Sequence, residues 1–294
     1  MSTAIKHLTP EQHALPENAP ERRPQLQPFL KWAGGKRQLI NELKTNLPET
    51  FNRYLEPFVG AGALLFELQP LVARVSDLNG ELINCYRVIK DDPKGLLAEL
   101  EKHEHTEAHF YEVRNLDRLP DFKSLSPSAR AARTIYLNKT CFNGLYRVNR
   151  KGHFNVPFGK YNNPTILDPG LLQALHKFFN THDISISSED FESACSFAKA
   201  GDFIYLDPPY YPLSSSSSFT GYNFKFDADD QKRLRDVFVK LTKRGCLVMQ
   251  SNSATDFIKE LYSGFRIIEV PAKRVINSVA TKRGQISELI ITNY

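Results

Sequence analysis

The sequence predicts an α/β protein: a mostly parallel sheet with an antiparallel edge hairpin, interrupted by an inserted, mainly helical segment that carries a β-hairpin of its own. Three observations lead there. Short apolar runs, Arg53-Tyr54-Leu55-Glu56-Pro57-Phe58-Val59, Ala73-Arg74-Val75-Ser76 and Phe203-Ile204-Tyr205-Leu206, have the composition of strands and are separated by helix-period stretches. The first run enters Gly60-Ala61-Gly62 and the apolar helix Ala63 to Leu68, and the second run ends on Asp77. The last two strands, Phe265 to Val270 and Ile286 to Thr292, have no helix between them, so they pair antiparallel at the sheet edge.

Composition bounds the rest. With 41% apolar and 24% charged residues over 294 positions, the chain can bury a substantial core in one or two domains. No stretch approaches the roughly 18 uncharged apolar residues of a membrane span, and the first 25 residues lack the apolar centre of a secretory signal. Cys85, Cys141, Cys195 and Cys246 lie far apart and outside Cys-x-x-Cys pairs. Reduced core thiols in a cytoplasmic protein are expected, with no metal site and no disulfide framework. The charge of +5 is unevenly spread. Between Phe122 and Leu167 there is no Asp or Glu, but there are Lys123, Arg130, Arg133, Lys139, Arg147, Arg150, Lys151 and Lys160. A basic insert in an otherwise acidic body is the footprint of a polyanion-binding surface.

Taken in order, residues 1–27 hold Pro10, Pro16, Pro20 and Pro24 among polar residues and read as a disordered or loosely attached tail. Phe29-Leu30-Lys31-Trp32-Ala33-Gly34-Gly35-Lys36-Arg37 precedes an amphipathic helix through Leu39, Ile40, Leu43 and Leu47. Its glycines let backbone approach a ligand, Lys36 can meet an anion, and Trp32 offers a stacking face; the spacing is not that of a phosphate-binding P-loop. The strand, glycine turn, helix, strand and Asp77 suit a nucleoside, with the carboxylate accepting from ribose hydroxyls. Leu65 stands where a dinucleotide fingerprint needs its third glycine, so no diphosphate is expected.

Residues 79–119 are helical in period, and Ser126-Pro127 starts another helix, whose Arg130 and Arg133 face either phosphate or water. Phe142 to Asn149, a turn at Arg150-Lys151-Gly152, and His153 to Tyr161 read as a hairpin decorated with the residue types that contact phosphates, base edges and base stacks. Asp168-Pro169 caps a helix, and Ile184 to Ser187 is a strand. It is followed by Asp190 and Phe191, a polar and stacking pair for a nucleobase, with Asp190 also the natural N-cap of the next helix. Ser214 to Ser218 is a lid or linker, and the Lys273 to Arg283 connection is basic and exposed. Three units are expected: the tail 1–27, an α/β domain of 28–79 with 168–294, and a basic insert of 80–167.

Asp207-Pro208-Pro209-Tyr210 closes the third apolar run, where open α/β sheets bind ligands. An acid, two prolines that offer only carbonyls, and an aromatic face make a pocket for a planar group bearing an exocyclic amine, such as adenine or cytosine. A structural Asp-Pro turn is the plainer alternative.

Together, Trp32-Ala33-Gly34-Gly35-Lys36, Phe58-Val59-Gly60-Ala61-Gly62, Asp77, Phe142-Asn143-Gly144-Leu145-Tyr146-Arg147, Phe154-Asn155-Val156-Pro157-Phe158-Gly159 and Asp207-Pro208-Pro209-Tyr210 resemble, in order, the motifs of Dam-type DNA adenine-N6 methyltransferases of the GATC-reading branch, including restriction-modification relatives. The likeness runs from about residue 28 to the end. It implies a Rossmann-like methyltransferase sheet and S-adenosylmethionine as cofactor, at Trp32, Ala33, Gly34, Lys36, Phe58, Gly60, Gly62, Asp77, Asp190, Phe191 and Asp207. It implies catalysis by Asp207, Pro208, Pro209 and Tyr210. It further implies double-stranded DNA as partner: Lys31 and Arg147 on guanines, Leu145 and Pro157 on the thymine, Phe142 and Asn143 at the space left by a flipped adenine, with Arg130, Asn149 and Tyr161 as further contacts. A monomer is expected, in some relatives paired functionally with a restriction endonuclease. A cytosine-N4 or RNA amino methyltransferase, a DNA-binding regulator with an idle cofactor fold, and a nucleotide-dependent oxidoreductase are the alternatives.

Overall fold

The computed structural model describes residues 26–166, 168–212, 226–273 and 285–294, together with the backbone of His13–Ala14. The tail expectation therefore falls almost wholly outside the described residues, as do the serine run and the basic connection after Lys273. The two-residue segment His13–Ala14 pairs antiparallel with Thr50–Phe51.

Seven strands form one sheet: β1 (Tyr54–Glu56), β2 (Val72–Ser76), β3 (Asp183–Ser187), β4 (Phe203–Leu206), β5 (Leu247–Ser253), β6 (Arg266–Lys273) and β7 (Gln285–Thr292). Their spatial order is β3-β2-β1-β4-β5-β7-β6. The first five are parallel, while β7 is antiparallel to both β5 and β6. This is the mostly parallel, Rossmann-like sheet with an antiparallel edge that the sequence predicts. From β1 the chain winds outward to β2 and β3, then returns to place β4 on the other side, so the carboxyl ends of β1 and β4 flank the crevice where such sheets take ligands. The first strand is shorter than its apolar run, because Pro57 has no N–H to extend the ladder.

Burial on both faces explains the apolar strands. Successive side chains point to opposite faces. Tyr54, Phe203 and Tyr205 join one core, with Phe66, Tyr86 and Phe179 from α2 (Ala63–Leu68), α3 (Gly80–Asp91) and α7 (Pro169–Thr181). Leu55, Ile204 and Leu206 join the other, with Phe191 from α8 (Phe191–Cys195), Leu234 and Phe238 from α9 (Ala228–Lys243) and Ile258 from α10 (Asp256–Leu261). The four cysteines are buried and unbridged.

The helical period of 79–119 resolves into α3, α4 (Pro93–Leu100) and α5 (Glu107–Asn115), since Asp92-Pro93 ends one helix and starts the next. The apolar residues of α3 pack in the core of the sheet. A third, smaller core unites Phe110 and Val113 of α5, Tyr136 and Leu137 of α6 (Pro127–Thr140), and Phe154 and Val156. The hairpin over 142–161 is looser than its alternation suggests. It consists of isolated bridges, Cys141 with Phe158 and Val148 with Phe154, and opens with a 3-10 turn at Phe142–Gly144. Asn143 takes a φ of +57° there, which no continuous ladder accommodates.

Candidate active site

At the end of β4, all four strand residues are buried and Asp207 is the first to emerge. Lys36 reaches it from the turn after Gly34-Gly35, with Nζ 2.7 Å from the Asp207 carboxylate and 4.5 Å from the centre of the Tyr210 ring. Gly34 adopts a φ of +78°, and its carbonyl accepts from the same ammonium. Burial pushes the Asp207 carboxyl up to about 6; Lys36 pulls it back and the charge of Glu288 adds to the rise.

The turn itself is fixed by groups far away in sequence. Gln231 donates to the Pro209 carbonyl at 2.9 Å, and its own amide oxygen accepts from Asn252 at 3.0 Å. Asn252 accepts from the Tyr211 N–H at 3.3 Å, and Ser253 donates to the Tyr211 carbonyl at 2.7 Å. The Tyr210 hydroxyl donates to Glu288 on β7 at 2.6 Å. None of these partners was expected. A signal for two of them exists: Gln250-Ser251-Asn252-Ser253 is a polar run ending an apolar strand, and all four are buried.

The glycine turn lies across the crevice. Gly60 and Gly62 have φ of +48° and +71°. A Cβ on Gly60 would lie 3.1 Å from the Trp32 indole. Asp77 accepts from the N–H of Gly60 at 3.2 Å and of Asn79 at 2.8 Å, while burial raises its carboxyl to about 6. Phe58 stacks on Phe191 at 5.4 Å. Asp190 caps α8 and also pairs with Arg233 at 2.9 Å, and that guanidinium covers Phe191. Trp32 stacks on Tyr146 at 4.8 Å, so the basic insert contributes a wall that sequence reading missed. One cavity of about 830 Å³ joins these groups to Asp207-Pro208-Pro209-Tyr210. Of the residues expected at the cofactor, Gly62 alone does not line it; Gly62 packs beneath, against Tyr86 and Phe66.

On the outer side, the buried Asn138 amide donates to the carbonyls of Lys31 and Gly144 and accepts from the Lys31 N–H. This brings Lys31, the Asn143-Gly144 turn and Tyr161 together, with the Lys31 ammonium 5.1 Å from the Tyr161 ring. Phe142 is 53% exposed, and Asn143 and Pro157 are exposed beside it. Leu145 is half-buried against the small third core. Arg147 donates from Nε to the Asn155 side chain at 2.7 Å and from Nη2 to its carbonyl at 3.3 Å.

Three expected cations are engaged elsewhere. Arg130 and Lys123 both pair with Glu81, and Arg133 is buried on Asp117, facing neither phosphate nor water. The side chain of Asn149 accepts from the Lys151 and His153 N–H groups and so builds the turn.

Residues 32–276 match the family of D12 class N6 adenine-specific DNA methyltransferases. The chain belongs to that family. It is 46% identical to the Type II methyltransferase M1.LlaDCHI of Lactococcus lactis subsp. cremoris over 272 residues, which is 92% of this chain and 96% of the relative. Identity is 42% with the Type II methyltransferase M.MjaIII of Methanocaldococcus jannaschii, over 92% of this chain and all of that protein. It is 34% with the DNA adenine methylase of Escherichia coli K12, over 89% and 93% of the two chains. Membership in the D12 class points to the exocyclic N6 of adenine in DNA as the acceptor and disfavours the cytosine and oxidoreductase alternatives. Among the described residues, no group of His, Cys, Asp and Glu could hold a metal ion, and no helix is long and apolar enough to cross a membrane.

Proposed function

We propose that this D12-class enzyme transfers the methyl group of S-adenosylmethionine to N6 of an adenine flipped out of duplex DNA at GATC. The observation that carries the reading is the single cavity joining the glycine turn and Asp77 to Asp207 across the switch point of the sheet. Its lining suits a cationic nucleoside. Asp77 would accept from ribose hydroxyls and Phe58 with Phe191 would offer a face to the purine, and the buried Glu56 carboxyl has an oxygen without a hydrogen-bond partner among the described residues. Bound there, S-adenosylmethionine supplies the electrophilic methyl.

The chain's own residues do the remainder. The lone pair of adenine N6 is delocalised into the ring, so Asp207 and the Pro208 carbonyl accept its N–H groups and draw the nitrogen toward tetrahedral geometry. Asp207, ionised above about pH 6, can also take the proton that N6 sheds once methylated. The Tyr210 ring stacks on the base and favours positive charge over its face, as the Lys36 ammonium above it illustrates. Most of the acceleration comes from positioning.

The insert reads the target. Lys31 and Arg147 suit guanine O6 and N7, Leu145 and Pro157 suit the thymine methyl, and Phe142 with Asn143 fills the gap in the stack. Arg130, held by Glu81, is left out of this set. Incubating the purified protein with unmethylated DNA and tritiated S-adenosylmethionine, then sequencing methylated positions, tests all of it. Methyladenine in GATC is expected. Methyladenine in another sequence removes the target assignment, and no transfer removes the whole reading. The two Type II relatives support pairing with a restriction endonuclease, for which resistance of the methylated DNA to a GATC-cleaving endonuclease is the readout.

A further inference from the structure

We propose that Glu288 is a positioning residue for methyl transfer, holding the Tyr210 ring at the angle on which the target base stacks; this rests on the reading of the site given above. Glu288 sits on β7, opposite Ser253 of β5 on one side and Val270 of β6 on the other, and lines the cavity. It accepts from the Tyr210 hydroxyl at 2.6 Å. In the backbone just before Tyr210, Gln231 donates to the Pro209 carbonyl. Two anchors, one at the backbone and one at the phenol tip, fix where the ring lies, with one face toward Lys36.

Stacking alone needs only an aromatic face, which phenylalanine would supply. The hydroxyl and its carboxylate are therefore about orientation. Placing that carboxylate here is unfavourable in itself, because its charge opposes ionisation of Asp207 in the same cavity. A carboxylate in so unhelpful a place needs a use, and the Tyr210 hydroxyl is the contact it makes.

Single-turnover methylation by Glu288→Ala, Tyr210→Phe and the double variant tests the assignment. Each single change is expected to slow transfer about tenfold, the factor one hydrogen bond to a charged group is worth. The double variant is expected to be no slower than either, because both changes remove the same contact. Glu288→Gln, which retains an acceptor, recovers most of the loss, and the KM for DNA does not move. With 2-aminopurine at the target position, Glu288→Ala still flips the base but alters its fluorescence, which reports stacking. Losses that multiply in the double variant, a Glu288→Gln as slow as Glu288→Ala, or a full-speed Tyr210→Phe each overturn the proposal. If Glu288→Ala does not fold, the Tyr210→Phe and Glu288→Gln results still decide it. Absence of transfer by the unaltered protein would instead remove the functional reading beneath it.

Discussion

Burial raises the affinity of Asp207 for a proton and Lys36 lowers it, leaving the carboxyl at about 6. On the proposed role of Asp207, a protonated carboxyl does not accept from N6, so the single-turnover rate is expected to fall as pH drops through about 6 and to be level above it. Replacing Lys36 with Met removes the charge that favours the carboxylate, and the acid limb should move to higher pH; a limb that stays in place would show that Lys36 does not govern Asp207. Burial holds the Asp77 carboxyl up at about 6 as well, and its loss of charge is expected to raise the KM for the cofactor while leaving the saturated rate to Asp207. Asp207→Ala is expected to abolish transfer with DNA binding intact, and near-normal turnover would reject its role. Asp207 and Asp77 are legible in the sequence because the turns that present them are local. Glu288 is not, since it lies 78 residues beyond the tyrosine it holds and only strand pairing brings it back.

Elements position these groups through a few residues whose replacement is costly. Gly62 has a φ of +71°, and a Cβ there would lie 2.7 Å from the Tyr86 hydroxyl and 3.0 Å from Phe66. Tyr86 in turn donates to the Gly60 carbonyl at 3.0 Å, so a shift of one displaces the turn over the cavity. Gly62→Ala is therefore expected to destabilise the fold by about 1–3 kcal/mol, seen as a lower melting temperature, and to weaken cofactor binding by calorimetry. Asn138, fully buried on α6, joins Lys31 to the Asn143-Gly144 turn. Asn138→Ala is expected to cost about 2–3 kcal/mol and to reduce discrimination between GATC and sites differing by one base pair; unchanged discrimination would place the reading residues elsewhere. Strands and caps were legible because their signals are short-range: Ser126 and Asp168 each accept from a backbone N–H in the first turn, as their positions predict. The hairpin was legible only as a pattern, because alternation says nothing about the positive φ at Asn143 that breaks its ladder.

Across the whole molecule, the run of eight cations without an acid suggests a wide field for polyanions, yet the fold brings acids to it from outside the run. Glu81 on α3 holds Lys123 and Arg130, and Asp117 holds Arg133. Counting along the sequence could not show this, since charge is neutralised in space and Glu81 lies 49 residues from Arg130. With Lys31 and Arg147 assigned to guanines, the other exposed cations of the hairpin are Arg150, Lys151 and Lys160. Each phosphate neutralised releases counterions, so three such contacts give a slope of log affinity against log salt of about −3, whereas adding Lys123, Arg130 and Arg133 would give about −5. Fluorescence anisotropy with a short GATC duplex over a range of salt concentrations distinguishes the two, and a slope near the larger value would show that the Glu81 and Asp117 pairs open on DNA. Glu81→Gln sharpens the test. It releases Lys123 and Arg130 together, and their recruitment to phosphates should steepen the slope by up to about 2; no change would mean that neither lies within reach of the duplex even when free.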